Sequence, residues 1–265
     1  MSYKIKLYHL YPDAMNLYGD LGNVIALRKR CEWRDIEFEV VEVKVGDKVD
    51  FSDADIIFMG GGQDRGQRII FNDLAKRATE IKSRIDSGVP ALLICGGFQL
   101  FGKYFKTKDG QEIPGISVFN AQTVAGDTRL IGNVVVDISV TTSKWAQKFK
   151  FKSMEQPITT LVGFENHSGL TQLGDGTEPL GTVVRGFGNK GDGGYEGGWY
   201  QNAIGTYLHG SLLPKNPWLT DHLIQMALLY RYGSPIPLDK LDDSVEMAAH
   251  QAAIERAKTA KTLSI

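Results

Sequence analysis

The stretch Ala91-Leu92-Leu93-Ile94-Cys95-Gly96-Gly97-Phe98-Gln99 decides the fold. A short apolar run, as in a strand buried on both faces, ends in a cysteine and paired glycines, and a helix-like segment follows. A side chain at such a strand-to-helix elbow points out of the sheet, and the helix N-terminus behind it favours negative charge. A thiol in that setting is biased toward the thiolate, the form that attacks carbonyl carbon.

Outward from this elbow the same texture repeats. Asp55-Ile56-Ile57-Phe58-Met59 reads as another apolar strand, closing on Gly60-Gly61-Gly62. A helix is predicted between the two, from about Arg68 to Ser87, stopped by Gly88 with Pro90 beyond. Upstream, Tyr3 to Tyr11 alternates Ile5 and Leu7 with Lys4 and Lys6 and reads as the first strand; Glu37 to Val45 is the second. Asp20 reads as the N-cap of a helix reaching about Trp33, with Leu21, Val24, Leu27 and Cys31 as its apolar stripe. This βαββαβ order predicts an α/β fold with a mostly parallel central sheet flanked by helices.

After Gly110 the texture changes. Ile116 to Phe119, Leu130 to Val140, Thr160 to Phe164 and Leu180 to Phe187 are predicted strands, making a β-rich second half joined to the same sheet, with residues 1–265 as a single domain. Gly188 to Gly198 is Gly-rich and polar and predicts a mobile loop. Asn202 to Leu208 is a last strand, ending at His209-Gly210. Helices are predicted from Thr220 to Tyr232 and from Ser244 to Lys261.

Composition narrows the function classes. The 265 residues suffice for a sizeable core, and 30 basic against 31 acidic residues leave no electrostatic footprint for nucleic acid or an anionic membrane. No apolar run approaches bilayer-spanning length and no signal-peptide pattern opens the chain, so a cytoplasmic protein is expected. Cys31 and Cys95, the two cysteines, form no CxxC pair, which argues against a disulfide framework or a zinc site.

A cysteine nucleophile needs a base that takes a proton and returns it to a leaving group. His209 is the leading candidate, because Gly205-Thr206-Tyr207-Leu208-His209-Gly210 again puts a polar side chain where an apolar strand ends. The carboxyl ends of parallel strands line one crevice, where Cys95 and His209 can meet. A histidine that only caps its strand is the alternative. The Gly60–Gly62 run suits a backbone N–H for an oxyanion hole, with the Gly96 N–H as second donor; a tight turn or phosphate cradle is its other use. The chain has neither GxGxxG nor GxxxxGK[ST] spacing at this run.

Cys95-Gly96-Gly97-Phe98-Gln99 resembles the C-x-G-x-Q nucleophile elbow of the class I, triad-type glutamine amidotransferases. Gly163-Phe164-Glu165-Asn166-His167 and Tyr207-Leu208-His209-Gly210 resemble the cobyric-acid-synthase-like branch of that class. Leu17-Tyr18-Gly19-Asp20-Leu21-Gly22-Asn23 and the whole-chain layout are similar to the stand-alone glutaminase subunits of lipid II isoglutaminyl synthases. The resemblance implies that Cys95 forms a γ-glutamyl thioester, that His209 is the acid and base, and that Gly62 and Gly96 form the oxyanion hole. It implies that Gln99 and Arg129 bind L-glutamine, a fixed guanidinium suiting its α-carboxylate. His167 is a further pocket-lining candidate, a turn residue otherwise.

Two positions depart from the class. Leu93 stands where many members carry glycine, and Ser211 stands where a glutamate commonly follows the histidine. Without a carboxylate partner an imidazole is poorly held in the needed tautomer. The expectation is that a partner subunit supplies or positions that carboxylate, leaving the isolated chain a weak glutaminase. With no P-loop here, the acceptor-activating step, with its ATP and magnesium, is expected on a separate polypeptide. The resemblance names that partner as a MurT-like, Mur-ligase-type synthetase that amidates the D-glutamate α-carboxyl of lipid II. No cofactor or metal is expected in this chain. Another cysteine hydrolase, a cobyrinate-type acceptor, or a non-catalytic binding module remain as rival readings.

Overall fold

In this computed structural model residues 2–62, 64–139, 159–260 and 262–264 are described. The expected strand and helix ends at Val140 and Lys261 lie outside them. The chain opens with β1 (Tyr3–Leu10), α1 (Leu21–Glu32), β2 (Ile36–Val43), β3 (Ile56–Met59), α2 (Asp64–Asp86), β4 (Ala91–Ile94) and α3 (Gly96–Phe101). It continues with β5 (Tyr104–Lys106), β6 (Glu112–Pro114), β7 (Ala121–Asp137), β8 (Thr160–Leu173), β9 (Gly181–Arg185), β10 (Tyr195–Glu196), β11 (Gly198–Tyr200) and β12 (Ala203–Thr206). Helices α4 (Pro217–Tyr232) and α5 (Ser244–Thr259) and the short β13 (Leu263–Ser264) follow.

The first sheet runs β11-β12-β4-β3-β1-β2, parallel throughout except for β11 at its edge. β3 and β4 sit at its centre and every one of their residues is buried, which is why they read as unbroken apolar runs and not as alternation. Burying each Leu or Ile there contributes about 1.5–3 kcal/mol, so the central strands are also the anchors of the loops that leave them. Parallel strands put the loops after β1, β3, β4 and β12 at one end.

The second half corrects one expectation. Only β11 and β12 join the first sheet; the other strands form a sheet of their own, in which β7 pairs β5, β8, β9 and β13, mostly antiparallel. The main hydrophobic core still takes residues from both halves, among them Ile57, Leu93 and Phe98 with Phe119, Val136 and Leu161. An isolated antiparallel bridge between Phe164 and His209 joins the sheets directly.

Residues 116–119 are not a strand. Their N–H groups, with that of Gly115, bond to carbonyls of Leu100, Phe101, Gly102 and Lys103, and so satisfy the orphan acceptors at the end of α3. The Gly-rich stretch is packed and carries β10: buried Asn189 exchanges side-chain bonds with the Gly197 backbone at 2.7 and 2.9 Å. The final helix lies on its own domain, with Ala257 against Val135 and Val162, and with His250 bonded to Thr160 Oγ1 at 2.9 Å and the Lys215 carbonyl at 2.8 Å.

Candidate active site

Cys95 is the first residue past β4, and its backbone sits at φ 50°, ψ −102°. That left-handed conformation costs a non-glycine residue about 1–2 kcal/mol, and it is held by the fold around it. The Cys95 N–H donates to the Thr206 carbonyl at 2.7 Å, and the Gln99 N–H donates to the Cys95 carbonyl at 3.0 Å. Gly97 allows the elbow to close, because a methyl there would stand 2.8 Å from the Met59 carbonyl oxygen.

His209 lies past the end of β12, the strand paired with β4, and is fully buried. Its imidazole stands beside the Cys95 side chain, close enough for the sulfur to act on its charge. On the other side of the ring, Nδ1 is 3.2 Å from Oδ1 of Asp20, itself fully buried, and Oδ2 of Asp20 accepts the Gly61 N–H at 2.7 Å. Burial alone would lower the His209 pKa. The adjacent Cys95 sulfur and the Asp20 carboxylate outweigh it and raise the pKa to about 10. Gly61 lies between all three: a methyl on it would stand 2.5 Å from His209 Cε1, 3.3 Å from Cys95 Cβ and 3.4 Å from Asp20 Oδ2.

This geometry corrects two expectations. Asp20 makes no side-chain cap for α1; Asn16 Oδ1 instead accepts the Leu21 N–H at 2.8 Å. The place beside Nδ1 is occupied by Asp20 of this chain, where a carboxylate supplied by a partner was expected. Leu93, the other departure, is fully buried in β4 opposite Met59 and Gly205.

The other sequence-derived residues divide. Gln99 is buried in α3 and its Nε2 donates to the Tyr207 hydroxyl at 3.2 Å. That hydroxyl is 2.6 Å from Thr171 Oγ1, which is 2.7 Å from Thr123 Oγ1. His167 stacks on the Tyr207 ring at 3.8 Å between centroids, with Nδ1 2.9 Å from the Gly169 carbonyl oxygen and Nε2 3.5 Å from Glu165 Oε2. Burial first, and then the charge of nearby Cys95, hold the Tyr207 phenol well above its ordinary pKa, so this polar row stands beside the nucleophile. Gly62 and Gly96 follow Gly61 and Cys95 directly. Arg129 is exposed on β7 beside Leu130, whose register partner is His167, and its Nε donates to Asn166 Oδ1 at 2.5 Å. Asp20 and Tyr207 are the residues that sequence reasoning missed. A signal existed for Asp20: it lies in the loop leaving the carboxyl end of the first parallel strand, with Gly19 and Gly22 around it.

Fold and site together define an α/β protein with a cysteine at a strand-to-helix elbow and a buried histidine beside it. Residues 6–217 match the CobB/CobQ-like glutamine amidotransferase domain, and the chain belongs to that family. It is 39% identical over 259 residues to the lipid II isoglutaminyl synthase (glutamine-hydrolyzing) subunit GatD of Staphylococcus aureus, covering 98% of each chain. It is 37% identical over 242 residues to the subunit of the same name from Streptococcus pneumoniae, covering 91% of this chain and 87% of that one. Among solved structures, a glutamine amidotransferase from Thermotoga maritima aligns with TM-score 0.54 at 16% identity over 97% of this chain and 99% of that one, a likeness of fold. No helix among the described residues is long and apolar enough to cross a membrane.

Proposed function

We propose that this chain is the glutaminase subunit of a lipid II isoglutaminyl synthase. The observation that carries the reading is Cys95 at a strained elbow with a buried His209, just past the end of the adjacent strand, beside it. Full-length likeness to the two GatD subunits supports the acceptor.

The Cys95 sulfur attacks the side-chain amide carbon of L-glutamine. The carbonyl oxygen becomes an oxyanion, which the N–H groups of Gly62 and Gly96 stabilise; the Gly61 N–H is committed to Asp20. The imidazolium of His209 gives its proton to the amide nitrogen, the C–N bond breaks, and ammonia leaves a γ-glutamyl thioester. Neutral His209 then deprotonates a water, which attacks the thioester carbon, and glutamate departs as the thiol is restored. The raised His209 pKa supplies the imidazolium that the first half-reaction needs at neutral pH. Gln99, Tyr207 and His167 shape the pocket wall, and Arg129 holds the glutamine α-carboxylate from its rim.

Ammonia passes to a MurT-like ligase, which uses ATP and magnesium to amidate the D-glutamate α-carboxyl of lipid II to D-isoglutamine. The heteromeric complex works in the cytoplasm at the inner face of the membrane. The test is a Cys95 adduct with a glutamine analogue seen by mass spectrometry, together with glutamine-driven amidation of lipid II by the chain, its ligase and ATP. Both are expected, and both are expected to vanish in Cys95→Ala. Ammonia release without lipid II amidation would remove the acceptor assignment; peptide cleavage without ammonia would remove the amidotransferase reading.

A further inference from the structure

Class I triads commonly carry a glutamate where this chain has Ser211, and two close contacts replace it. The Ser211 hydroxyl donates to the Gly19 carbonyl at 2.6 Å, which pins the turn immediately before Asp20. Gly22 makes room for this clasp: a methyl on Gly22 would collide with Ser211 Oγ and stand 2.8 Å from its Cβ. Ser211 itself has φ 48°, so its side chain is turned toward the β1–α1 loop by the backbone that leaves His209.

We propose that Asp20 is the positioning carboxylate of His209, delivered from the β1–α1 loop, and that Ser211 is the clasp that fixes that loop. The proposal rests on the reading of Cys95 and His209 as nucleophile and base. Its physical basis is a fork of two contacts: Oδ1 faces His209 Nδ1 while Oδ2 accepts the Gly61 N–H. A carboxylate so held accepts a hydrogen bond from Nδ1–H and keeps the proton on that nitrogen, which leaves Nε2 to exchange a proton with the Cys95 sulfur. An asparagine at 20 cannot serve both contacts. Its carbonyl oxygen must face the Gly61 N–H, and its amino group then faces Nδ1, which forces the wrong tautomer. The other buried ring that feels Asp20 is His9 on β1, and burial lowers its pKa to about 4, so it stays neutral through the working range and does not compete for the carboxylate. Tyr207 is the remaining titratable group near Cys95 and stays protonated there.

The test compares wild type, Asp20→Asn and Ser211→Ala in the full chain with its ligase. The first readout is glutamine hydrolysis; the second is the pH profile of Cys95 alkylation by iodoacetamide, which requires no turnover. Asp20→Asn is expected to keep its fold and its KM for glutamine, to lose about 10²–10⁴-fold in kcat, and to move the alkylation midpoint to higher pH. Ser211→Ala is expected to move the same midpoint in the same direction by less. Unchanged kcat and alkylation profile in Asp20→Asn would overturn the proposal. If Asp20→Asn does not fold, Ser211→Ala decides, and an unmoved profile there overturns it. An altered profile in a chain that hydrolyses no glutamine keeps the Asp20 assignment and removes the glutaminase reading.

Discussion

Phe164 and His209 exchange both backbone hydrogen bonds, the Phe164 N–H donating to the His209 carbonyl at 3.1 Å and the His209 N–H to the Phe164 carbonyl at 2.7 Å. The bridge ties β8 of one sheet to the segment after β12 of the other, so β8 sets the position of the histidine beside Cys95. Phe164→Pro removes one donor and breaks the ladder, and is expected to cost more than about 3 kcal/mol in urea denaturation and to end hydrolysis. Phe164→Ala keeps the backbone exchange and is expected to keep most of the activity. Equal activity in both variants would show that the bridge does not position His209.

Gly61 is closed to any side chain. Gly61→Ala puts a methyl against His209 Cε1 and Cys95 Cβ, and overpacking of this kind costs about 1–3 kcal/mol. The imidazole is the group that moves, so glutamine hydrolysis should fall about 100-fold or more, as for a small misplacement of a reacting group. The measurement is kcat beside thermal unfolding; a destabilised protein with full kcat would contradict it.

The strained elbow predicts an inversion of a familiar order. Glycine accepts φ 50° at Cys95 without the side-chain clash that alanine retains. Cys95→Gly is therefore expected to be more stable than Cys95→Ala by about 1 kcal/mol in chemical denaturation, although both are inactive. The opposite ranking would mean that the elbow carries no strain.

Glu196 gives a pH signature in stability. It is fully buried, and its one oxygen accepts both the Thr206 hydroxyl and the Tyr207 N–H at 2.7 Å. Burial raises its pKa from 4.5 to about 7. A carboxyl with a raised folded pKa holds more protons folded than unfolded across that window, so stability is present at low pH and falls as pH rises toward 7. Glu196→Gln keeps an acceptor for both donors and removes the titration. It is expected to be more stable than wild type at about pH 8 and no more stable at about pH 4, by thermal melts across pH. Parallel curves for the two proteins would contradict this.

Arg129 is exposed and bonds to Asn166, so its loss leaves the core untouched. Arg129→Ala is expected to raise the KM for glutamine about tenfold or more with little change in kcat or melting temperature, and Arg129→Lys to restore it only in part. An unchanged KM would remove Arg129 from the pocket.

The first half of the fold was legible because β3 and β4 are unbroken apolar runs closed by glycines, and a parallel sheet buried on both faces produces that pattern. The second half was not. β7 carries polar residues along much of its length and shifts register between Ala125 and Leu130, so its period is broken where sequence reasoning looks for it. Ile116 to Phe119 looked like a strand because it is apolar, but its apolar side chains and its backbone close the end of α3. Cys95 and His209 declared themselves by ending strands. Asp20 did not, because an aspartate before a helical stripe reads equally well as an N-cap. Its true partner lies 189 positions along the chain, a distance that local pattern does not span.

The origin of the Asp20 contact bears on how portable this site is. A segment cut from β3 to the residue after His209 would contain the nucleophile, the glycine run and the histidine, and would look complete in a motif search. It would lack the β1–α1 loop, and with it the carboxylate beside Nδ1 and the acceptor for the Gly61 N–H. Transplanting the elbow onto another sheet, or permuting the chain so that β1 is lost, therefore carries away the reacting atoms and leaves their support behind.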